Sequence, residues 1–567
     1  MRVKNNIKVN RKRIYFLFIL FLMTFLLIIY RLVSIQYINA SEFESYAEFQ
    51  HTGEFVISSK RGKILDRNGI ELATSLIEKT VYADPRFVLD SGYEAKILAE
   101  ILEINENEVK EKLDNKELGF AYIKRKVSLE KTEEIMEYDL PGIYFQDEAK
   151  RYYPQNDIAA SIIGFTGTDN NGLSGIELQY EKVLGGVDGK EVIEKDVFGN
   201  IIPGENNTYI EPIDGKDVAL TIDSQIQYMA QEKLQEIVTE YNALRAIAVV
   251  MNPKNGEIYA MANYPGFDLN NYTEVDEELY KTLGISFTYE PGSTFKIINV
   301  ASALESNSIG KDWAFDLPFS IEVGGKEFSE IFWRGSVTYT VKEIIKKSSN
   351  IGAITIALSM GKKTFWEGIK NFKFGELTGI ELPGEERGIV HDYDKWNAPD
   401  IAAMAIGQTI SVTPLQLLRA ACAIANGGYL IEPSIVKEVE LLENEEDSDI
   451  EIGEGDRILS SETASAMRDM MLSVVEEGTG TKAKIEDVKV CGKTGTAEKV
   501  NRNGIGYDEG RSITSFIGFA PYGDPEIAIL VVVDEPQGGE NTIWGGTVAA
   551  PVFKEIMEFS LKRLKVY

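Results

Sequence analysis

The sequence predicts an α+β protein of more than one domain, with a sheet covered by helices on both faces in its C-terminal half. Three observations carry this. The chain has 567 residues, more than one hydrophobic core usually supports. Five apolar strand-like segments fall in two separate places: ALRAIAVVMNPKNGEIYAMANYP holds two, joined by an Asn-Pro-Lys-Asn-Gly turn, and VKVCGKTGTAEKV, SITSFIGFAP and EIAILVVVDEP hold three. Helix-period segments surround them: SQIQYMAQEKLQEIVTEY before the first pair, a long helical middle, and AAPVFKEIMEFSLKRL at the end.

The elements follow in chain order. Residues 1 to 13 carry Arg2, Lys4, Lys8, Arg11, Lys12 and Arg13 and no acid. Removing these six charges from the net charge of -30 leaves the rest at -36. A body so acidic repels phosphate backbones, which excludes nucleic acid as a partner class. The apolar run Ile14 to Tyr30, IYFLFILFLMTFLLIIY, follows at once, and Arg31 extends it to Val33 by snorkelling. A basic flank, a spanning length and no small-x-small cleavage site predict an uncleaved signal anchor, with a cytoplasmic N-terminus and an extracytoplasmic body.

Residues 35 to about 60 read as a helical stalk, and RGKILDRNGIELATS opens a folded module with a turn at Asp66, Asn68 and Gly69. To about residue 225 the chain mixes short strands, glycine turns and charged helices such as YEAKILAEILEINENEVKEKL, with no catalytic grouping. This stretch reads as a spacer or interaction domain. The domain divisions expected are 1–13, 14–33, 34–225 and 226–567. The acidic stretch 441 to 456 reads as a solvated loop. Cys422 and Cys491 are the only cysteines, too few for a disulfide scaffold. Pairing stays open, and two buried thiols are the favoured reading.

The chemistry lies in three short motifs. In YEPGSTFKIINVASALES, Pro291 and Gly292 precede an apolar helix starting near Ser293, and Lys296 stands three residues on, on the same face. Burial would lower the lysine pKa toward the range of a general base, and the backbone N–H groups of the helix start favour an oxyanion. Ser-x-x-Lys alone is weak, since Ser128, Ser308, Ser359 and Ser434 are also followed by a lysine at that spacing. Ser293 is distinguished by what lies downstream: Ser348, Ser349 and Asn350 in KKSSNIGA, then Lys493, Thr494, Gly495 and Thr496 in CGKTGTAEK. This ordered set is the pattern of penicillin-binding proteins and class A β-lactamases, with Ser-Ser-Asn here where the pattern has Ser-Asp-Asn.

Acyl transfer needs each part. Ser293 is the candidate nucleophile, Lys296 the general base and Ser348 the proton relay to the leaving amine. Asn350 can hold the substrate amide. Lys493 offers electrostatic and proton-relay help, Thr494 and Thr496 offer hydroxyls to a substrate carboxylate, and Gly495 admits the substrate close to the backbone.

Beyond the motifs, RGKILDRNG, YPQNDIAASIIGFTG, GLSGIELQYEKVLGG, FGELTGIELPGE and AIGQTISVTPLQLLRAACAIANGG resemble segments of the class B penicillin-binding proteins, above all the cell-division and sporulation branch. The resemblance implies a penicillin-binding transpeptidase fold, a five-stranded antiparallel sheet covered by helices, after an elongated mixed pedestal of dimerisation type and one transmembrane helix. It implies a D,D-transpeptidase that takes peptidoglycan stem peptides ending in D-Ala-D-Ala and is acylated by β-lactams, with an oxyanion hole from the backbone N–H groups of Ser293 and Thr496. A SEDS-family glycosyltransferase and divisome or sporulation proteins are the partners it implies. No cofactor or metal is expected. His51 and His391 are the only histidines and lack metal-ligand spacing. EFQHTG around His51 lacks the acids of a glycosyltransferase motif and reads as stalk. A D,D-carboxypeptidase or β-lactamase-type hydrolase, and a non-catalytic scaffold or β-lactam sensor, use the same fold and stay open at this point.

Overall fold

Unbroken apolar runs such as IAILVVV in the late strands give a sheet two buried faces, and the computed structural model shows what covers each. It describes residues 11–39, 52–194, 208–439, 455–501, 506–539 and 542–566. His51, and all but the last two residues of the acidic stretch 441 to 456, lie outside these. The chain divides into two compact units, residues 1–59 with 187–213, and residues 60–186 with 214–567.

The first unit holds the helix Arg11–Val33, whose side chains are exposed along its length, as suits a helix that meets lipid rather than protein. Its strand Thr52–Ile57 pairs antiparallel with Gly189–Glu194, which pairs with Thr208–Ile210. The helical stalk expected over 35 to about 60 is corrected at its far end, residues 40–51 lying outside those described. Thr52–Ile57, TGEFVI, ends in the β-favouring run Phe55, Val56 and Ile57 and takes partners 132 to 142 positions away, from Ile57 opposite Gly189 to Thr52 opposite Glu194, so long-range pairing overrides the local reading.

The second unit begins with β1 (Ile64–Leu65) and β2 (Glu71–Ala83). Asp66 makes the turn between them, its Oδ1 accepting from the backbone N–H groups of Asn68 at 2.8 Å and Ile70 at 2.9 Å. The charged helical stretch is two helices, α1 (Ser91–Leu102) and α2 (Glu106–Asp114). The break falls where Glu103 adopts φ 56° and Asn105 caps α2 by accepting from Asn107 N–H. β3 (Ala121–Val127) and β4 (Ile143–Tyr152) flank β2, and β5 (Val218–Leu220) runs parallel to β1. Glu177 is fully buried between Arg61 Nε at 2.5 Å and Arg151 Nε at 2.6 Å, so both carboxylate oxygens are neutralised where water does not reach.

After α3 (Ser224–Tyr241) come β6 (Arg245–Met251) and β7 (Ile258–Tyr264). The helical middle supplies α4 (Lys296–Glu305), α5 (Val341–Lys347), α6 (Asn350–Asn371) and α7 (Pro414–Ala425). β8 (Val436–Val439) pairs with β5, so that sheet takes a strand from each side of residue 225. Then follow α8 (Ser461–Glu477), β9 (Cys491–Val500), β10 (Tyr507–Ala520), β11 (Ile527–Asp534) and α9 (Ala549–Arg563).

The central sheet runs β7-β6-β11-β10-β9, antiparallel throughout. Ala246, Ala248 and Val250 pack with Ile529 and Val531 against α3 and α9. Their neighbours Ile247, Val249 and Met251 pack with Leu530 and Val532 on the core of α4, α6 and α7. The period of two in β6 and β11 thus builds both layers. Cys422 and Cys491 are free and buried, and burial raises both thiols far above their ordinary range.

Candidate active site

The nucleophile turn is set by backbone geometry. Gly292 has φ 57°, and a Cβ there would lie 2.9 Å from Thr496 O, so the turn lies directly on β9. Gly292 N–H donates to Gly407 O at 3.1 Å, and Thr294 Oγ1 donates to Pro291 O at 2.7 Å. One 3-10 turn, Gly292–Phe295, then feeds α4. Ser293 is half-buried on a cleft of about 510 Å³, and Lys296 is 0% exposed beneath it.

Lys296 Nζ donates to Ser348 O at 2.7 Å and to Asn350 Oδ1 at 2.8 Å, and it reaches Ser348 Oγ at 3.4 Å. No hydrogen bond joins it to Ser293 Oγ in this conformation. Lys493, also 0% exposed, donates to Ser348 Oγ at 2.8 Å and to Thr494 O at 2.9 Å. Ser348 sits where α5 ends, at φ 57°. That left-handed residue turns its carbonyl and hydroxyl to the two lysines, and α6 restarts at Asn350. Burial brings the Lys296 ammonium down to about 7, against a smaller opposing pull from Glu330. Burial, and next the nearby charge of Lys296, drive Lys493 well below the ordinary lysine range.

Ser349, the middle residue of Ser-Ser-Asn, is a helix cap. Its Oγ accepts from Gly352 N–H at 3.0 Å and donates to Glu330, which also accepts from Asn350 N–H at 2.9 Å and from Arg334 at 2.6 Å. A carboxylate from another segment therefore stands beside the position where the pattern has aspartate. Asn350 Nδ2 donates to Ser329 O at 3.2 Å.

The far wall is β9. Thr494 Oγ1 shares a hydrogen bond with Thr479 Oγ1 at 2.7 Å, and Thr496 Oγ1 accepts from Gly545 N–H at 3.1 Å, which leaves its own proton to donate. A Cβ on Gly495 would lie 2.3 Å from Ser515 Oγ and 2.8 Å from Thr294 Cγ2, so only glycine lets β9 approach the nucleophile turn. Phe332 and Trp544 meet at the cleft, ring centroids 5.6 Å apart.

Ser293, Ser348, Thr494, Gly495 and Thr496 thus line one cleft, with Lys296 and Lys493 buried below it and Asn350 bonded to Lys296. His391 is elsewhere, on a separate cavity of about 440 Å³ with Glu290 and Thr409. Sequence reasoning missed Glu330, Thr479 and Gly545. Thr479 lies in the glycine-threonine run GTGT and Gly545 in a Gly-Gly pair, both signs of close backbone packing, whereas Glu330 has no local signal.

Comparison with known proteins agrees with this geometry. Residues 246–558 match the family profile of the penicillin binding protein transpeptidase domain, and residues 56–220 match that of the penicillin-binding protein dimerisation domain. Stage V sporulation protein D of Bacillus subtilis is 38% identical over 100% of this chain and 88% of its own length. The peptidoglycan D,D-transpeptidase FtsI of Escherichia coli is 31% identical over 90% of this chain and 84% of its own. Among solved structures, penicillin binding protein 3 of Mycobacterium tuberculosis complexed with aztreonam superposes with a TM-score of 0.70 at 26% identity, covering 90% of this chain and 98% of that one.

Proposed function

The chain belongs to the class B penicillin-binding proteins and is a membrane-anchored peptidoglycan D,D-transpeptidase, and from that premise we propose how its residues divide the reaction. The observation that carries the assignment is one hydroxyl, Ser348 Oγ, within reach of both buried lysines.

A neutral amine has two N–H donors and one lone pair. In Lys296 the donors go to Ser348 O and Asn350 Oδ1, which leaves the lone pair for the Ser293 proton. Ser293 Oγ attacks the carbonyl of the penultimate D-Ala. The oxyanion is held by the backbone N–H groups of Ser293 and Thr496. As the C–N bond breaks, the proton passes from Lys296 through Ser348 Oγ to the departing D-Ala amine, with Lys493 holding Ser348 and damping charge on its oxygen. An amine of a second stem peptide then attacks the ester, returns a proton along the same route and leaves the cross-link. Asn350 takes the substrate amide, Thr494 and Thr496 take the terminal carboxylate, and Gly495 permits the close approach.

We read the N-terminus as cytoplasmic and the catalytic unit as outside, a topology that the basic flank supports. Protease added outside wall-stripped cells is expected to digest the body of the chain, and full protection would contradict that topology. We further propose the domain divisions 1–13, 14–33, 34–225 and 226–567, and a SEDS-family glycosyltransferase with divisome or sporulation proteins as partners, the latter resting on family resemblance. The activity is tested by incubating the purified full chain with donor and acceptor stem peptides. Cross-linked dimer is the expected product, and trimmed tetrapeptide alone would make the protein a hydrolase.

A further inference from the structure

A donor peptide ending in D-Ala, like a β-lactam, brings a carboxylate into a protein whose net charge is -30, so the cleft needs a counter-charge. The cation of the third motif is poorly placed to give it. Lys493 is 0% exposed, its Nζ is directed at Ser348 Oγ and Thr494 O, and it does not line the cleft. Four charged residues do line it: Glu330, Arg334, Lys347 and Lys482. Arg334 is neutralised by Glu330 at 2.6 Å. Lys347 and Lys482 are exposed and form no salt bridge among the described residues, Lys347 feeling Glu343 one turn back only at longer range.

These two lysines come from adjoining segments. Lys347 ends α5, next to Ser348. Lys482 follows α8 on a loop whose Gly478 lies against α5, since a Cβ there would stand 2.6 Å from Lys346 O. The same loop is tied to β9 by the Thr479–Thr494 hydroxyl pair at 2.7 Å. Both lysines thus line the cleft from segments that adjoin Thr494, where the carboxylate is read to bind.

We propose that Lys347 and Lys482 form a carboxylate-steering rim, a site that draws the anionic end of the donor peptide or β-lactam to the Thr494 and Thr496 hydroxyls. It rests on the reading of Ser293 and Thr494 given above. Cations on long, flexible side chains at a cleft mouth act on capture rather than on bond making, and their effect is screened by salt. Lys493 is left to Ser348 and the proton.

The test uses the full chain in detergent, unaltered and as the double variant Lys347→Gln/Lys482→Gln, with diacetyl-lysyl-D-Ala-D-Ala and its C-terminal carboxamide as donors and benzylpenicillin as acylating agent. At low ionic strength the second-order rate for the carboxylate donor and for penicillin is expected to fall about tenfold in the variant. The fall in rate with added salt should be lost in the variant, where salt now screens only the repulsion by the acidic body; the limiting rate should change by less than about twofold, and the carboxamide should react as with the unaltered chain. Lys347→Arg/Lys482→Arg should restore the rate. An equal loss for carboxylate and carboxamide, or no loss for either, would overturn the rim while leaving Ser293 labelled by penicillin. Failure of the unaltered chain to label at Ser293 would overturn the underlying reading and the rim with it.

Discussion

Lys493 Nζ donates to Ser348 Oγ at 2.8 Å, which makes the lysine of the third motif a partner of the serine of the second, 145 positions away in sequence. Lys296 reaches the same oxygen at 3.4 Å. The relay end of the proton path proposed for acylation, from Lys296 to Ser348 with Lys493 behind it, is thus in contact before substrate arrives, whereas the Ser293–Lys296 link has still to close.

The pH dependence follows from Lys296. Burial brings it down to about 7, and only its neutral form accepts the Ser293 proton. The limiting acylation rate with benzylpenicillin should therefore rise about tenfold per pH unit below pH 7 and level off above it. Lys296→Arg keeps a cation at all accessible pH values, so it should lose acylation while the thermal melt remains cooperative. A flat profile between pH 5.5 and 8.5 in the unaltered chain, or full activity in the arginine variant, would remove Lys296 as the base.

Thr496 is predicted to position rather than react. Its hydroxyl accepts from Gly545 N–H and has its own proton to give a carboxylate. A hydrogen bond to a charged group contributes about 1.5 to 3 kcal/mol, so Thr496→Ala should slow penicillin acylation by roughly tenfold to a hundredfold without stopping it. An unchanged rate would take the carboxylate away from this hydroxyl.

Ser349 carries a prediction that runs against the family pattern. Ser349→Asp would restore the usual middle residue yet place a second carboxylate beside Glu330, where the serine hydroxyl now donates. Like charges in so buried a place should lower the melting temperature and slow acylation, with Glu330→Gln in the same chain recovering both. Greater stability from Ser349→Asp alone would contradict the Glu330 contact.

The legible parts of this protein were those with a local signal. The apolar strands Arg245–Met251 and Ile527–Asp534, and the helices Ser224–Tyr241 and Ala549–Arg563, were all readable from pattern. So was the set Ser293, Lys296, Ser348, Asn350 and Lys493, because ordered spacing made it specific where Ser-x-x-Lys was not. What escaped reading depends on distant contacts. Thr52–Ile57 is a strand because Gly189–Glu194 pairs with it. Val436–Val439 finds its partner in Val218–Leu220. Glu330 matters only because folding sets it against the cap of α6. The commitment of Lys493 to Ser348, rather than to the open cleft, is likewise a fact of packing.

The central claim is that Ser293 forms the acyl-enzyme, and one measurement tests it directly: label the purified full chain with a fluorescent penicillin, digest it, and locate the adduct by mass spectrometry, alongside the Ser293→Ala variant. The account predicts one penicilloyl group, on the peptide carrying Ser293, and no covalent label on Ser293→Ala however long the incubation. A stable adduct on Ser293→Ala, or a label mapping to another residue in the unaltered chain, would contradict it.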